Sequence, residues 1–407
     1  MTMATTIDAN FAREVAFLRA LVRAPSDNPP GDCAPAAEVA AQELQALGFA
    51  VERHPVPEAV VRANGMVSTT NLIVRRTFGA GKGPVIALNA HGDVVPPGDG
   101  WTVDPYAAIE RDGAVYGRGV AVSKSDFATY AFALLALEAN SAGLDGGIEL
   151  HFTYDEEAGG AIGPKWLIDQ GLTKATLAVS AGFSYAITTA HNGVLHLEVT
   201  LRGRQAHAAM PATGRDALEA AVPVLAAIYS ERARLAGIVS AEKGIGSPQI
   251  TIGLISGGIN TNVVPDTVTF RIDRRIVPEE VGEEVERALV AMIEAAVPAG
   301  SGVAVECRRI MLAEPLRPIP GVDRLVGAIG RRAEEVLGLP VLPTGVPLYT
   351  DARHYSAAGI PTVLYGAGPR SILEANAHGA DEHLKLSDLR AATEIVALTL
   401  ADLLASR

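Results

Sequence analysis

The sequence predicts an α/β domain on a mixed, largely parallel sheet, with a smaller α+β domain inserted into it. Two observations carry this. First, the apolar runs NLIVRRTF, PVIALNAH, IELHFTYD and ATLAVSA alternate with helical stretches. Continuous apolar strands between helices belong to a sheet covered on both faces. Second, near Ala190 the order changes. GVLHLEVTLRG alternates as a half-buried strand, and DALEAAVPVLAAIYSERARLA is a helix. The strands SPQITIGLISGG and DTVTFRIDRRIV follow, then the helix PEEVGEEVERALVAMIEAAV and the strand GVAVECRRIML. This β-α-β-β-α-β order is that of a ferredoxin-like sandwich. After Pro315 helix and strand alternate again, which places the outer domain at 1–189 and 309–407 and the insert at 190–308.

The remaining elements follow from local signals. MTMATTIDANFAREVAFLRALV is an amphipathic helix carrying Asp8 and Glu14, which suits neither a signal peptide nor a lipidation motif. APSDNPPGD is a loop, and APAAEVAAQELQALGF is a helix stopped at Gly48. The helix around TYAFALLALEA is apolar on all sides but too short for a membrane span, so it is expected to be buried. A last helix starts near Ser387.

Composition narrows the function. The chain has 407 residues, 48% hydrophobic and 20% charged, as in a soluble globular protein of two domains. Its net charge of −12 gives no counterion release on DNA or RNA, so no nucleic-acid partner is expected. Cys33 and Cys307 are the only cysteines, too few for a disulfide framework or a cysteine zinc site, and fit a reducing cytoplasm.

Four polar clusters sit at strand ends or in loops. HGD places His91 and Asp93 two residues apart, so that one can bind a metal and the other orient it. DEE offers Asp155, Glu156 and Glu157 after another strand, one carboxylate for a metal and one for a proton. GRQAHAAMP holds His207, and NAHGADEHL holds His378. Taken singly, each reads as an ordinary polar loop; their order and spacing are what is specific.

In that order and spacing, the stretches HGDVVPPGDGWTVDPY, DGAVYGRG, FTYDEEAGG, GRQAHAAMPATGRDA, NVVPDTVTFRIDRR, YTDAR and AHGADEHL resemble the M20 family of metallopeptidases and amidohydrolases. The resemblance runs from the first helix to the C-terminus. It implies a catalytic domain with an inserted lid that commonly dimerises, two divalent ions, usually zinc, sharing a carboxylate bridge, and a glutamate-activated water that attacks an amide. By position it makes His91 a metal ligand oriented by Asp93, Glu156 the general base, and Glu157 and His378 ligands of the second ion. His207 resembles the histidine that reaches across the dimer to polarise the carbonyl. Asn262 and Arg275 resemble substrate-carboxylate contacts, with Arg353 a further anion contact.

Two positions depart from the family pattern. After GRG, relatives read roughly GRGAxDMKG, with a bridging aspartate; here Val122 stands there, followed by Ser123 and Lys124. Where relatives carry an acidic ligand before TAHKG, the count back from Gly193 gives Ala181. Neither valine nor alanine ligates anything. At most one ion, zinc or another divalent metal, is therefore expected, at Glu157 and His378, or none. Asp126, four residues beyond Val122, is one way to replace the bridge. Lys124, also a candidate substrate contact, or a proton shared by Glu156 and Glu157, is expected to offset the repulsion of those carboxylates, Lys124 by facing the cleft. Three readings follow. One is an M20-type hydrolase of the amide bond of a small carboxylate-bearing amino-acid derivative (peptide, N-acyl or N-carbamoyl), acting as a homodimer without membrane contact. Another is a metal-independent acid/base hydrolase, lyase or isomerase on the same scaffold. The third is a ligand-binding pseudoenzyme.

Overall fold

A computed structural model describes residues 2–406. Their strands are β1 (Val51–Pro55), β2 (Thr70–Phe78), β3 (Val85–His91), β4 (Ile109–Arg111), β5 (Ala114–Tyr116), β6 (Gly146–Thr153), β7 (Leu177–Ser180), β8 (Ile187–His191), β9 (Gly193–Arg202), β10 (Gln249–Gly257), β11 (Thr267–Ile276), β12 (Ala304–Ala313), β13 (Pro343–Val346), β14 (Thr362–Leu364) and β15 (His383–Lys385). The chain forms two compact units. The first runs to Thr189 and resumes over Pro318–Thr344 and from Thr350 onward; the second is Ala190–Arg317 with Gly345–Tyr349. A boundary at 308 falls inside β12, which continues to Ala313.

The large sheet has the order β1-β2-β6-β3-β7-β14-β8-β13. Its central strands β6, β3, β7 and β14 are parallel, and β1, β2 and β8 join antiparallel. Strand β6 is buried along its whole length and β3 along all but its first residue, which is why both read as unbroken apolar runs. The helix Lys124–Ala139 buries residues on every side, from Phe127 and Tyr130 to Leu134 and Leu137, so it lacks a polar stripe. No helix among the described residues is long and apolar enough to cross a membrane. Parallel strands deliver their carboxyl ends to one edge, the usual place for ligand residues in such sheets. His91 ends β3, Asp155 and Glu156 follow β6, Ala181 follows β7, and Gly366 follows β14.

The second unit has its own core and the ferredoxin-like order. Strands β10-β11-β9-β12 pair antiparallel throughout, with the helices Ala217–Leu235 and Gly282–Ala296 between them in sequence. Leu195, Leu197, Val199 and Leu201 of β9 and Phe270 and Ile272 of β11 pack with Val224, Ile228, Leu289 and Ile293. The alternation in GVLHLEVTLRG is the period of a strand with one face inward. Asp216 caps the first of these helices by accepting from the Leu218 and Glu219 N–H groups.

Candidate active site

His91, Glu156 and Glu157 come together at the carboxyl edge of the large sheet. One donor atom from each lies within 4.8 Å of the others. Gly92 lets the chain turn there, since a Cβ at that position would stand 2.4 Å from the Tyr154 ring. The Ser123 hydroxyl accepts from the His91 N–H at 3.0 Å and donates to the His91 carbonyl at 2.9 Å, fixing the strand end. The His91 Nδ1 donates to the Asp93 carbonyl at 3.0 Å, with Asp93 Oδ1 3.4 Å away, which leaves Nε2 as the free ligand atom.

Asp93 is fully buried and organises the group. Its carboxylate accepts from the N–H groups of Glu156 at 3.2 Å and Glu157 at 3.1 Å, and from the Asn28 amide at 2.9 Å. One side chain thus holds the short 3₁₀ turn Glu156–Ala158 against the end of β3. Asn28, in the DNPPGD loop, was not singled out from sequence; an amide in a tight Pro/Gly loop is the only signal it gives.

The electrostatics suit proton transfer. Burial pushes the Glu156 carboxyl up, to about 7; His91 opposes this, and Glu157 and Asp93 add to it. Burial works against a charged His91, but Asp93, Glu156 and Glu157 outweigh it and hold its pKa above the usual value. His378 approaches Glu157 with Nε2 3.3 Å from Oε1, and this contact raises its pKa. His378 is about half exposed and stands outside the tight three-residue group. Its backbone has φ +64°, and Asn376 at +50° and Asp381 at +54° are left-handed too, non-glycine conformations of the kind that cluster at functional sites.

Three expectations need correction. Lys124 does not face the carboxylates: it is buried, and its ammonium donates to the carbonyls of Leu21 at 3.1 Å and Ala24 at 3.0 Å, at the end of the first helix. Cationic groups suit a helix C-terminus, and this pull decided its direction. Asp126 does not replace the missing bridge. Its Oδ1 accepts from the Ala367 N–H at 2.7 Å, and Gly366 has no Cβ because one would stand 2.0 Å from that oxygen. Arg353 is buried with its guanidinium on the carbonyls of Thr350 and Gly159, holding the loop after Glu157 and lowering the pKa of Glu156 by its charge.

Sequence reasoning also passed over Glu382. Buried, it pairs with Arg118 at 2.7 Å and accepts from the N–H groups of Gly119, Ala121 and Val122, so it builds the turn that places Val122. A buried arginine in GRG demands a counter-charge, and that was the available signal.

In the second unit His207 is exposed, and its Nδ1 accepts from the Ala209 N–H at 3.0 Å, so the neutral ring carries its proton on Nε2. The Asn262 carbonyl accepts from the Ala208 N–H at 3.0 Å, tying those two loops together. Arg275 makes a two-pronged pair with Asp273, at 2.9 and 3.1 Å, and Asp273 also meets His196 at 3.0 Å. Asp273 thus engages Nε and Nη2 of Arg275 and holds the guanidinium in a fixed plane.

Asp126 has a measurable consequence. Burial raises its pKa to about 7, against the N–H groups of Ala367 and Gly182. A folded-state pKa above the unfolded value gives stability that is full below about pH 4 and is lost as pH rises through 7. Asp126→Asn, which mimics the protonated acid, should raise Tm at pH 8 and change little at pH 4, with a gain of up to about 4 kcal/mol. Melting both proteins at the two pH values checks this; an equal shift at both would refute the buried-charge account.

An imidazole and clustered carboxylates at the carboxyl edge of an α/β sheet, in a chain that also carries a ferredoxin-like unit, suit a hydrolase of the metal-centre type. Residues 87–402 match peptidase family M20/M25/M40, and the chain belongs to that family. It is 30% identical over 394 residues to a succinyl-diaminopimelate desuccinylase of Acidiphilium cryptum, covering 94% of this chain and 96% of the relative. A second desuccinylase, of Gluconacetobacter diazotrophicus, is 29% identical, with 99% of each chain covered. Among solved structures, the fold matches the di-peptidase Dug1p of Saccharomyces cerevisiae with TM-score 0.77 at 14% identity, covering 98% of this chain and 97% of that one. It also matches the YxeP protein of Bacillus subtilis, described as a dinuclear metal binding peptidase, with TM-score 0.70 at 18% identity over 98% and 100% of the chains.

The side chains offer a possible site for a divalent ion. His91, Glu156 and Glu157 bring three possible donor atoms within 4.8 Å of one another. Val122 and Ala181, both packed against the hydrophobic core, bring no donor, and the Asp126 carboxylate is committed to Ala367.

Proposed function

We propose that the chain hydrolyses the amide bond of a small carboxylate-bearing amino-acid derivative (N-acyl, N-carbamoyl or a short peptide), with Glu156 moving the proton and with at most one divalent ion. The observation that carries this is the placing of Glu156 beside His91 and Glu157 on a turn held by Asp93. The desuccinylase relatives support the substrate class. A single ion would be held by Glu157 and His378, with His91 near, leaving Glu156 for the proton, and would supply Lewis acidity toward the amide carbonyl. A carboxyl poised near neutral pH takes a proton from water and returns it to the leaving amine. His207, whose neutral ring keeps its proton on Nε2, is assigned to the carbonyl oxygen, and Asn262 and Arg275 to a substrate carboxylate. A panel of N-acyl amino acids and dipeptides tests the reading, with Arg275→Ala as the companion variant. Loss of the arginine should cost about 2–4 kcal/mol in kcat/KM. No turnover across the panel, or an unchanged kcat/KM in the variant, would remove the respective assignment.

A second reading has its own support. His91, held in its charged form by Asp93, Glu156 and Glu157, already places a cation among the carboxylates. Metal-independent acid/base chemistry on this scaffold therefore stays open to test, by whether chelator-treated protein keeps its turnover.

The proposal extends to a homodimer formed through the second unit. Strand β10 is a sheet edge carrying exposed Leu254 and Ile255, and the helix Ala217–Leu235 exposes Leu218, Val222 and Tyr229. An apolar open edge is a pairing surface. Light scattering at micromolar concentration should give twice the chain mass of 42.3 kDa; a monomer would contradict it. Free Cys33 and Cys307 are consistent with a reducing cytoplasm.

A further inference from the structure

Strand β6 carries a buried file of polar side chains. The strand is buried along its whole length, yet Glu149, His151 and Thr153 alternate with Ile148, Leu150 and Phe152 and so share one face of the sheet. A buried polar group costs stability unless it is paired. His151 has both ring nitrogens engaged: Nε2 meets Glu149 Oε2 at 3.1 Å, and Nδ1 meets the Tyr355 hydroxyl at 2.8 Å. Glu149 also accepts from the Thr173 hydroxyl at 2.7 Å, the Lys174 N–H and the Arg75 guanidinium. Burial works against its charged form, but His151, Thr173 and Arg75 outweigh it and hold its pKa at about 2. A carboxylate only accepts, so Nε2 carries the proton, and the neutral ring takes the Tyr355 O–H at Nδ1.

Tyr355 belongs to the helix Ala352–Ala357, which is too short to hold itself. Its ring is fully buried with Ala87 of β3 and Ala178 of β7, and it lies at 18° to the His151 ring. The start of the same helix touches the turn that carries Glu156 and Glu157. The Arg353 guanidinium donates to the Gly159 carbonyl, directly after that turn. Asp351 Oδ1 stands so close to Gly160 that a Cβ there would lie 2.0 Å away. The Gly159 N–H closes the turn on the Glu156 carbonyl at 3.0 Å, and the Gly160 N–H on the Asp155 carbonyl at 2.8 Å. Bonds thus run from Glu149 through His151 and Tyr355 to the helix, and from the helix to the turn.

We propose that His151 and Tyr355 are positioning residues for the reaction: they seat the helix Ala352–Ala357 and, through Arg353 and Asp351, set the turn that presents Glu156 and Glu157. This rests on the amide-hydrolase reading above. Both side chains are fully buried, so they reach the substrate only through the helix. Reacting groups misplaced by about 1 Å lose roughly 10²-fold in rate, so one buried hydroxyl has leverage on turnover.

Tyr355→Phe tests this with the least disturbance, because the ring keeps its seat and only the bond to Nδ1 goes. The expected result is a fall in kcat of about tenfold or more, with KM unchanged and the protein still folded at the assay temperature. His151→Gln, whose amide can still donate to Glu149 and accept from Tyr355, should retain more turnover than His151→Leu. A second readout needs no turnover. NMR of histidine-labelled protein should show the His91 ring signals displaced in Tyr355→Phe, together with those of His151. An unchanged kcat overturns the proposal, and so do unchanged His91 signals or a kcat that falls only in step with the folded fraction. Absence of amide turnover in the wild type would remove the hydrolase reading, and the His91 signals would still decide whether His151 and Tyr355 set the site.

Discussion

Glu156→Gln is expected to lower kcat by about 10²–10⁴-fold while the protein stays folded. The substitution keeps size and removes the ability to accept a proton. The backbone N–H of residue 156 still reaches Asp93, so the turn survives. Elemental analysis of the same preparation separates two causes, since Glu156 is also one of the three clustered donors. A fall in kcat at unchanged ion content identifies proton transfer; a fall in both identifies ligation. Turnover within about tenfold of wild type would remove Glu156 from the chemistry.

The second large effect is on ion count. Wild-type protein should carry at most one divalent ion per chain. The double variant Val122→Asp with Ala181→Glu should carry two, because it returns a bridging carboxylate and a terminal one to the positions where the family pattern has them. Both residues are partly open and adjoin His91 through neighbouring strand ends, so the new side chains have somewhere to point. Chelator should lower the activity of the double variant far more than that of the wild type. Catalytic zinc is normally held by three protein ligands. Two tightly bound ions in the wild type would show that donors other than Val122 and Ala181 complete a pair.

Much of the fold was open to reading because burial and periodicity agree in it. β6 reads apolar throughout because both its faces are covered, and β9 alternates because one of its faces is not. The site residues His91, Asp93, Glu156, Glu157 and His378 do assemble, since each follows a strand end or a loop whose position the topology dictates. What the sequence hid was direction. Lys124 and Asp126 sit beside the key position in the chain, yet one turns to the first helix's carbonyls and the other to Ala367. A side chain's neighbours in sequence say little about which buried polar group will claim it. Glu382 shows the same limit from the other side: its partners, Arg118 and the turn after it, lie more than 250 positions away, Arg118 itself 264.

Glu382 and Asp126 together also fasten the segment that carries Arg370 and His378. Asp126 holds its start at Ala367, and Glu382 holds its far end on Arg118 and the Val122 turn. Between these anchors Ile372 and Leu373 are exposed, Leu373 to 86%. A strap tied at both ends has already surrendered most of its closure entropy, so changes in its middle add little to that cost. The His378 contact with Glu157 lies between these two anchors. The exposed middle of the strap is therefore open to substitution at little cost, while its two knots keep His378 in register with Glu157.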